Sequence, residues 1–328
     1  MTVSIGLIGC GNISRAHLRG YLAIPDQATV TAVADVHRDV ATERAGQAGG
    51  ARVFESYEDL LAEPVDAVDV CLPHHLHADA IIAAAKAGKH ILCEKPLCLT
   101  LDEAERIADA IAAARVTLMC AHKDLMLPAV ARARELIDTG ALGRVYELRT
   151  TDSFFNDFDP ATMGWRASTA TSGGGELIDT GYHPTYLLLY LASARPTAVT
   201  AMLSTHRLTF MEGEDSARVL VRFADGAVGE VVTSWAYEAA PYTEKFSAVG
   251  ELGSLWSDGR TLCHKPRGES GTITEFPAID ATPAAVADFV RRIREGSRPV
   301  HTHDEGTDVL KIILGAYRSA AERREITL

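Results

Sequence analysis

GLIGCGNISRAH (residues 6–17) places two glycines between an apolar run and a segment of helical period, and this arrangement decides the fold of the N-terminal half. A glycine-rich turn between a strand and a helix is typical of dinucleotide binding. The first glycine permits the tight bend, and the second lets the backbone approach a pyrophosphate at the helix N-terminus. Ser14, a small residue, stands where a third glycine is common. The residues of this turn expected to contact a cofactor are Gly9, Gly11, Asn12 and Ile13.

The first 120 residues alternate short apolar runs with alanine-rich segments of helical period. The apolar runs lie at 3–8, 28–34, 67–72, 89–93 and 116–120, and the helical segments lie at 12–24, 37–48, 75–87 and 100–114. Strands that alternate with helices indicate βαβ units and a parallel sheet. The runs show no polar alternation, as is typical of strands covered on both faces. We therefore predict an α/β Rossmann domain, doubly wound, over residues 1–121.

The pattern changes after about residue 144, where polar and apolar residues begin to alternate. Segments such as "RVYELRT", "ARVLVRF" and "GAVGEVVTSW" have this period of two, which indicates antiparallel strands. "ADG" at 224–226 separates two of them and predicts a hairpin turn. Helical segments are predicted over 128–138, 176–192, 281–295 and 304–322. We therefore predict a second domain over 122–328, of α+β class with an open, mostly antiparallel sheet.

Composition and charge exclude several classes of function. The 328 residues carry a formal net charge of -12 and a sequence pI of about 5.5, without a basic run that would bind nucleic acid or an anionic membrane. The six cysteines form no C-x-x-C pair, so neither a zinc ribbon nor a thioredoxin site is predicted. The first apolar run begins at Val3 and no apolar stretch has membrane-spanning length, so we expect a cytoplasmic protein without a signal peptide.

The second apolar run ends in "VTAVAD", which puts Asp35 at the carboxyl end of a predicted strand. A carboxylate at this position binds both hydroxyls of a ribose and repels a 2′-phosphate. The order of strand, glycine turn, helix and acid therefore predicts NAD as the cofactor. NADP is the alternative, because His37 and Arg38 follow closely. The other interpretation of the pattern is a plain tight loop, with Asp35 capping the next helix.

Four further stretches, together with the glycine turn, resemble the glucose-fructose oxidoreductase and inositol dehydrogenase family, Gfo/Idh/MocA. They are "CEKPL" at 93–97, "LPHHLH" at 72–77, "GWR" at 164–166 and "GGGELIDTGYH" at 173–183. The resemblance spans essentially the whole chain. It implies NAD-linked hydride transfer at a secondary alcohol of a sugar, cyclitol or sugar derivative. It also implies that the second domain binds substrate and associates through its sheet into a homodimer or homotetramer.

Three residues in these stretches carry the chemistry that the resemblance implies. Oxidation of an alcohol needs a group that accepts the hydroxyl proton and a cation that stabilises the developing oxyanion. Lys95 ends the fifth predicted strand, at the edge where such sheets bind ligands, and is expected to stabilise the alkoxide. His183 is expected to take the proton, and Asp179 to orient His183. Spacing alone is equally consistent with a surface lysine before Pro96, and with a capping aspartate near a core histidine.

The remaining predicted contacts lie at strand ends or in loops. Besides the glycine turn and Asp35, the residues expected to contact the cofactor are Pro73, His74, His77, Glu94, Lys95, Trp165 and Arg166. The residues expected to contact substrate are Lys95, His122, Trp165, Asp179 and His183. A metal site is a further interpretation of the histidines at 74, 75, 77, 301 and 303. No carboxylate or cysteine follows them at ligand spacing, so we predict no metal.

The chain departs from the family pattern at three positions. His74 replaces the usual asparagine and Leu72 the usual threonine, while Tyr186 stands where many sugar-oxidising members have an aspartate that binds polyol hydroxyls. Tyr186 and the aromatic segment "DSFFNDF" at 152–158 favour, as an alternative, the less polar substrate of a dihydrodiol dehydrogenase. An NADP-linked keto-sugar reductase is another alternative. Outside enzymes, the alternative is a non-catalytic dinucleotide-sensing regulator, against which the combination of a lysine, an aspartate and a histidine argues.

Overall fold

The structure is a computed structural model that describes residues 2–237 and 244–328, and the chain divides into two units. Unit 1 comprises Met1–Lys123 and Asp280–Thr307, and unit 2 comprises Asp124–Ile279 and Asp308–Leu328. The first division lies two residues beyond the boundary predicted at 121. The segment Asp280–Thr307 is a correction to the predicted second domain over 122–328, because it belongs to the first unit.

Unit 1 contains a parallel sheet with the strand order β3-β2-β1-β4-β5-β6. Its strands are β1 (Val3–Ile8), β2 (Ala28–Ala34), β3 (Arg52–Phe54), β4 (Ala67–Val70), β5 (His90–Cys93) and β6 (Leu118–Cys120). Its connecting helices are α1 (Asn12–Leu22), α2 (Arg38–Gln47), α3 (Tyr57–Leu61), α4 (His77–Lys86) and α5 (Leu101–Ala114). This order, which reverses between β1 and β4, is that of a doubly wound dinucleotide-binding fold and confirms the predicted class.

Unit 2 contains, within the described residues, a sheet of nine strands in the order β14-β13-β12-β11-β7-β10-β9-β8-β15. The strands are β7 (Val145–Ser153), β8 (Pro196–Ser204), β9 (Ser216–Phe223), β10 (Val228–Ser234), β11 (Phe246–Gly250), β12 (Gly253–Ser257), β13 (Thr261–Pro266), β14 (Thr272–Glu275) and β15 (Ile326–Thr327). β10 runs parallel to β7, and the other neighbours are antiparallel, as predicted.

The helices of the second half of the chain are shared between the two units. They are α6 (Pro128–Asp138), α7 (Thr169–Ser172), α8 (Glu176–Asp179), α9 (Tyr182–Leu191), α10 (Ala281–Glu295) and α11 (His303–Glu322). α10 and the first turn of α11 belong to unit 1. A Cβ built on Gly20 of α1 would lie 2.7 Å from Cβ of Val286, so α10 packs closely on α1. This packing is the physical reason why the segment returns to the first unit. Among the described residues, no helix is both long enough and apolar enough to cross a membrane.

The helix predicted over 176–192 is two helices, α8 and α9, and this break positions two candidate catalytic residues. Gly181 lies between them, and a Cβ there would be 2.7 Å from the backbone of Leu177. Asp179 therefore ends the first helix, whereas His183 lies in the first turn of the second. Pro184 also lies in that first turn, where a helix tolerates proline.

Two short elements of unit 1, β3 and α3, have no counterpart in the predicted pattern, because three to five residues carry too little periodicity. The sequence pattern therefore predicts no element over residues 49–66, where β3 and α3 lie. In unit 2, the hairpin turn at 224–226 is confirmed. Gly226 has φ +89°, and its N–H donates to the carbonyl of Phe223 at 3.0 Å, between β9 and β10.

Candidate functional site

The glycine turn of unit 1 forms an open backbone cradle at the start of α1. Gly9 has φ +87°, and a Cβ there would lie 2.5 Å from the carbonyl oxygen of Cys71. A side chain is therefore excluded by both conformation and space. Gly11 is the N-cap of α1, and a Cβ built on it would have no heavy atom within 4 Å. Asn12 and Ile13 form the first residues of the helix. The open space and the N-terminal N–H groups fit the pyrophosphate of a dinucleotide.

A buried arginine that no sequence pattern indicated supports this turn from inside the protein. Arg44 of α2 donates from Nε to Ser14 Oγ at 3.0 Å and from Nη2 to the carbonyl of Cys10 at 3.0 Å. Ser14 in turn donates to the carbonyl of Gly11 at 2.6 Å. The serine that replaces the third glycine is thus part of the brace. α2 shows little separation of polar and apolar faces, so its sequence did not indicate that Arg44 is buried.

Asp35 lies just beyond the carboxyl end of β2, as predicted. Its two carboxylate oxygens accept the N–H groups of Cys10, at 2.8 Å, and of His37, at 2.9 Å. The carboxylate is therefore held beside the glycine turn, where it fits the hydroxyls of a ribose. Arg38, which was expected to soften a preference for NAD, donates to Glu55 at 2.6 Å.

Lys95 lies two residues beyond the end of β5, and Glu94 accepts a hydrogen bond from its backbone. Oε2 of Glu94 accepts the N–H of Lys95 at 3.2 Å, and Oε1 lies 2.9 Å from Nε2 of His17. Burial alone would raise the pKa of Glu94, but the hydrogen bond and charge of His17, with the charge of Lys95, lower it below its ordinary value. Glu94 was expected to contact the cofactor. The structure engages its carboxylate with His17 and with the backbone N–H of Lys95, and its contact with the cofactor stays a prediction.

The segment "LPHHLH" forms a short 3-10 turn before α4. Pro73 precedes the turn and His74, its first residue, is buried. His77 is fully buried, with its ring nitrogens 2.6 Å from the carbonyl oxygen of Pro96 and 2.8 Å from that of Leu72. The expected contact of His77 with the cofactor stays a prediction. Both nitrogens are taken up in joining the chain after β4 to the chain after β5.

His122, predicted to contact substrate, follows β6 and packs against His301 within unit 1. The two rings meet edge to face with centroids 4.4 Å apart, and their Nδ1 atoms are in close contact. Burial, together with the charges of His301 and Lys95, lowers the pKa of His122 well below its ordinary value, and burial lowers the pKa of His301 to about 4. Both rings are therefore neutral near pH 7. In a pair of neutral rings, one Nδ1 can donate its proton to the lone pair of the other Nδ1. A hydrogen bond of this kind accounts for the contact without a metal.

In unit 2, Asp179 is paired with a residue of the predicted "GWR" segment. Nε of Arg166 donates to Oδ2 of Asp179 at 2.6 Å, and the guanidinium lies 4.2 Å from the ring centroid of Trp165. The three residues thus form one continuous group of aromatic ring, cation and carboxylate. Sequence reasoning placed Trp165 and Arg166 at the cofactor and Asp179 at the histidine. The ion pair between Arg166 and Asp179 was not foreseen.

His183, four residues after Asp179, is held by Tyr186 on the same helix. Nδ1 of His183 lies 3.1 Å from the hydroxyl of Tyr186, which also accepts the backbone N–H of Asp124 at 3.0 Å. The carboxylate of Asp124 lies 2.9 Å from Nζ of Lys245. Tyr186, which stands where many family members have an aspartate, therefore supplies a neutral hydrogen-bonding partner to the candidate base.

The glycines of "GGGELIDTGYH" allow α8 to pass close to neighbouring backbone. A Cβ on Gly175 would overlap the backbone of Glu214, whose Oε1 accepts the N–H of Leu177 at 2.8 Å. Burial raises the pKa of Glu214 and raises that of Glu176 well above its ordinary value. Close packing and buried carboxyl groups thus fix the helix that ends at Asp179.

Comparison with known proteins agrees with this arrangement along most of the chain. The family described as "Oxidoreductase family, NAD-binding Rossmann fold" matches residues 3–122, and the GFO/IDH/MocA C-terminal domain matches residues 130–256. Levoglucosan dehydrogenase of Pseudarthrobacter phenanthrenivorans is 32% identical over 262 residues, which cover 70% of this chain and 66% of that protein. Myo-inositol 2-dehydrogenase of Thermotoga maritima is 26% identical over 337 residues, covering 99% of this chain and 98% of that protein.

The solved structures give the same result. A levoglucosan dehydrogenase in complex with NADH and levoglucosan superposes with a TM-score of 0.92 at 26% sequence identity, covering 100% of this chain and 99% of that one. The open glycine cradle and the carboxylate of Asp35 fit the cofactor that this match indicates, which is NAD. By its two matched domains, its strand order and its glycine turn, this chain belongs to the Gfo/Idh/MocA family of NAD-dependent oxidoreductases.

Proposed function

We propose that this enzyme reversibly oxidises a secondary alcohol of a sugar, cyclitol or sugar derivative. The observation that carries the proposal is Lys95, which follows the carboxyl end of β5 in the same unit as the open glycine cradle. Ligands of doubly wound sheets bind beyond the carboxyl ends of the strands. The named relatives that act on levoglucosan and myo-inositol support this class of substrate.

Three residues divide the chemistry in this proposal. Bound NAD supplies the hydride acceptor. The ammonium group of Lys95 stabilises the negative charge that develops on the substrate oxygen. His183 removes the hydroxyl proton in its neutral form. Because Nδ1 of His183 faces the hydroxyl of Tyr186, we assign the proton transfer to Nε2. Asp179 stabilises the imidazolium that results.

The remaining predicted contacts keep their roles as proposals. Pro73, His74, Trp165 and Arg166 would contact the cofactor. His122 would contact substrate as a neutral hydrogen-bonding group, since its pKa is low.

A second substrate class is favoured by Phe154 and Phe155, which follow β7 and are 40% and 41% exposed. These rings suit the flat apolar ring of a dihydrodiol.

The proposal is tested by assaying the purified protein on a panel of substrates with NAD and NADP. Levoglucosan, myo-inositol and a cis-dihydrodiol are assayed as alcohols with NAD or NADP, and 1,5-anhydro-D-fructose is assayed as a ketone with NADH or NADPH. We expect turnover of at least one sugar or cyclitol with NAD. Preferred oxidation of the dihydrodiol, or preferred reduction of the keto-sugar with NADPH, would select the corresponding alternative. A protein that binds NADH tightly and turns over no member of the panel would favour a dinucleotide-sensing role.

We also propose that Asp35 makes NAD the preferred cofactor, because its carboxylate repels a 2′-phosphate. The variant Asp35→Ser should narrow or reverse the ratio of kcat/KM for NAD and NADP. Asp39→Ser, at an exposed position of α2, is the matched control and should leave the ratio unchanged. A tenfold preference of the wild type for NADP would contradict this assignment.

We propose in addition a homodimer or homotetramer that associates through the exposed face of the unit 2 sheet. Strand register places several exposed apolar side chains on that face, namely Met202, Leu220, Val228, Val249 and Trp256. Light scattering of the wild type and of Leu220→Glu tests this, and a wild-type monomer would overturn it.

We also propose a cytoplasmic location. It is supported by the six cysteines, all of them free thiols.

A further inference from the structure

A buried hydrogen-bond network joins the helix of the glycine turn to the candidate catalytic lysine. His17 lies on α1 and is fully buried. Its Nδ1 lies 2.8 Å and 3.0 Å from the two carboxylate oxygens of Asp69 on β4, and its Nε2 lies 2.9 Å from Oε1 of Glu94. The other oxygen of Glu94 accepts the backbone N–H of Lys95. The path from α1 to Lys95 therefore consists of two side chains.

The geometry around His17 favours a charged ring. A neutral imidazole has one N–H donor and one lone pair, so it would turn a lone pair toward one of the two carboxylates. Only the imidazolium donates from both nitrogens. The pKa agrees with this: burial alone would lower the pKa of His17, but the neighbouring Asp69 raises it well above its ordinary value. A hydrogen-bonded cation between two anions is the stable state of such a buried cluster.

The same cluster brings together three atoms that could be considered metal ligands. Among the described residues, His17, Asp69 and Cys71 each place a donor atom within 4.8 Å of the others. A metal needs a deprotonated ring nitrogen and, from cysteine, a thiolate. Both ring nitrogens of His17 face carboxylates, and burial raises the pKa of the Cys71 thiol to about 12. The donor set therefore holds protons, not a metal.

We propose that His17 is a positioning residue for hydride transfer, and that its charged ring holds Glu94 so that Glu94 fixes the backbone of Lys95 without capturing its ammonium group. Besides His17, the cation whose charge lowers the pKa of Glu94 is Lys95, so without the imidazolium Glu94 would pair with Lys95. The lysine would then be drawn away from the substrate oxygen. This inference rests on the role proposed above for Lys95.

Two substitutions separate the two hydrogen bonds of His17. An asparagine places its amide nitrogen near the position of Nδ1, so His17→Asn keeps a donor for Asp69 and loses the link to Glu94. A glutamine reaches the position of Nε2, so His17→Gln keeps a donor for Glu94. Tyr21→Phe is the matched control, because the Tyr21 hydroxyl donates to Asp69 at 2.9 Å from the same helix and so lies on the Asp69 side of the cluster. It perturbs the cluster but spares the path to Lys95.

The kinetic experiment measures kcat, KM and the primary deuterium isotope effect on the best substrate of the panel, with NADH affinity measured by fluorescence. We expect His17→Asn to lose about 10- to 100-fold in kcat, since small misplacements of a catalytic group cost this much. Its NADH dissociation constant should stay within about threefold of wild type and its isotope effect should rise. His17→Gln should recover most of the loss, and Tyr21→Phe should keep wild-type kcat. A purely structural role would instead make activity follow stability in all three variants, and that result would overturn the proposal.

A second measurement needs no turnover. Nitrogen-15 NMR of histidine-labelled protein near pH 8 reports the protonation of each ring, and His17→Gln assigns the signal among the twelve histidines. We expect both nitrogens of His17 to carry protons at a pH where an ordinary histidine, with a pKa of about 6.5, is neutral. A neutral His17 would overturn the proposal even in an active enzyme. An inactive wild type with a charged His17 would refute the proposed function and leave the link to Glu94 standing.

Discussion

Lys95 and His183 are held in place by opposite kinds of contact. The backbone at Lys95 is fixed through Glu94 by a buried cluster of charges centred on His17. The ring of His183 is fixed by the neutral hydroxyl of Tyr186, which is itself anchored by a backbone N–H. A cluster of charges holds geometry firmly but ties each member to one protonation state. A neutral hydroxyl orients a ring without choosing its charge.

The difference matches what each residue has to do. Lys95 must remain a cation throughout the reaction, so charged surroundings that never change suit it. His183 must gain and lose a proton in every turnover, and a fixed carboxylate as its Nδ1 partner would bias it toward the charged form. Tyr186, in the position where the family pattern has aspartate, removes that bias at Nδ1. The carboxylate of Asp179 is instead shared with Arg166.

The largest effect on kcat is expected from substitution of Lys95. Lys95→Ala should lower kcat by about 10²–10³, because it removes the cation that stabilises the oxyanion. NADH binding should be largely retained, as measured by fluorescence titration. Lys86→Ala, at an exposed position at the end of α4, is the matched control and should behave as wild type. Near-normal turnover in folded Lys95→Ala would refute the assignment.

The next largest effect on kcat is expected from substitution of His183. His183→Asn should lower kcat by about 10² and flatten the rise of the oxidation rate with pH, since asparagine cannot accept the proton. A pH-rate profile from pH 5 to 9 measures this. His264→Asn, in the same unit on β13, is the control and should keep the wild-type profile. An unchanged profile in His183→Asn would move the base to another residue, with His122 or Tyr182 next.

A smaller effect should follow from loss of the neutral support. Tyr186→Phe leaves the buried N–H of Asp124 without its acceptor and the ring of His183 without its partner. We expect unfolding free energy to fall by about 1–3 kcal/mol and kcat to fall by about tenfold. Tyr190→Phe, one turn later on α9 and half-buried, is the control for both measurements. If Tyr186→Asp were as active as wild type with an unshifted pH profile, the contrast between charged and neutral support would fail.

The smallest expected effect is the pH dependence of the stability that the charged ring of His17 contributes. The pKa of His17 is raised in the folded protein, so the stabilisation from its charged ring is complete below the ordinary value of about 6.5. It is lost as pH rises from there through the higher folded pKa. The difference in unfolding free energy between wild type and His17→Gln should therefore shrink between pH 6 and pH 10 in urea titrations. A difference independent of pH would mean that the ring is neutral.

The sequence predicted the fold because both units have strong periodicity. Unbroken apolar runs marked five of the six strands of the parallel sheet, all except β3, and a period of two marked β9 and β10. The sequence also placed Lys95 and Asp35 at strand ends, because the position of a residue relative to its own strand follows from the residues next to it in the chain. It missed Arg44, the ion pair of Arg166 with Asp179, and the contact of His17 with Glu94. These partners lie 13 to 77 residues apart, and such pairings depend on how the folded elements meet, which periodicity does not encode.

The return of Asp280–Thr307 to unit 1 has a consequence for the order in which the chain is made. A ribosome synthesises the first 123 residues long before α10. Until Val286 is synthesised, the surface of α1 around Gly20 stays uncovered. By the time that cover emerges, nearly all of unit 2 has already left the ribosome. The half of the enzyme that begins first is therefore completed only near the end of translation. A fragment ending at residue 123 would carry every residue of the glycine turn and still present an open apolar seam to chaperones and to other copies of itself.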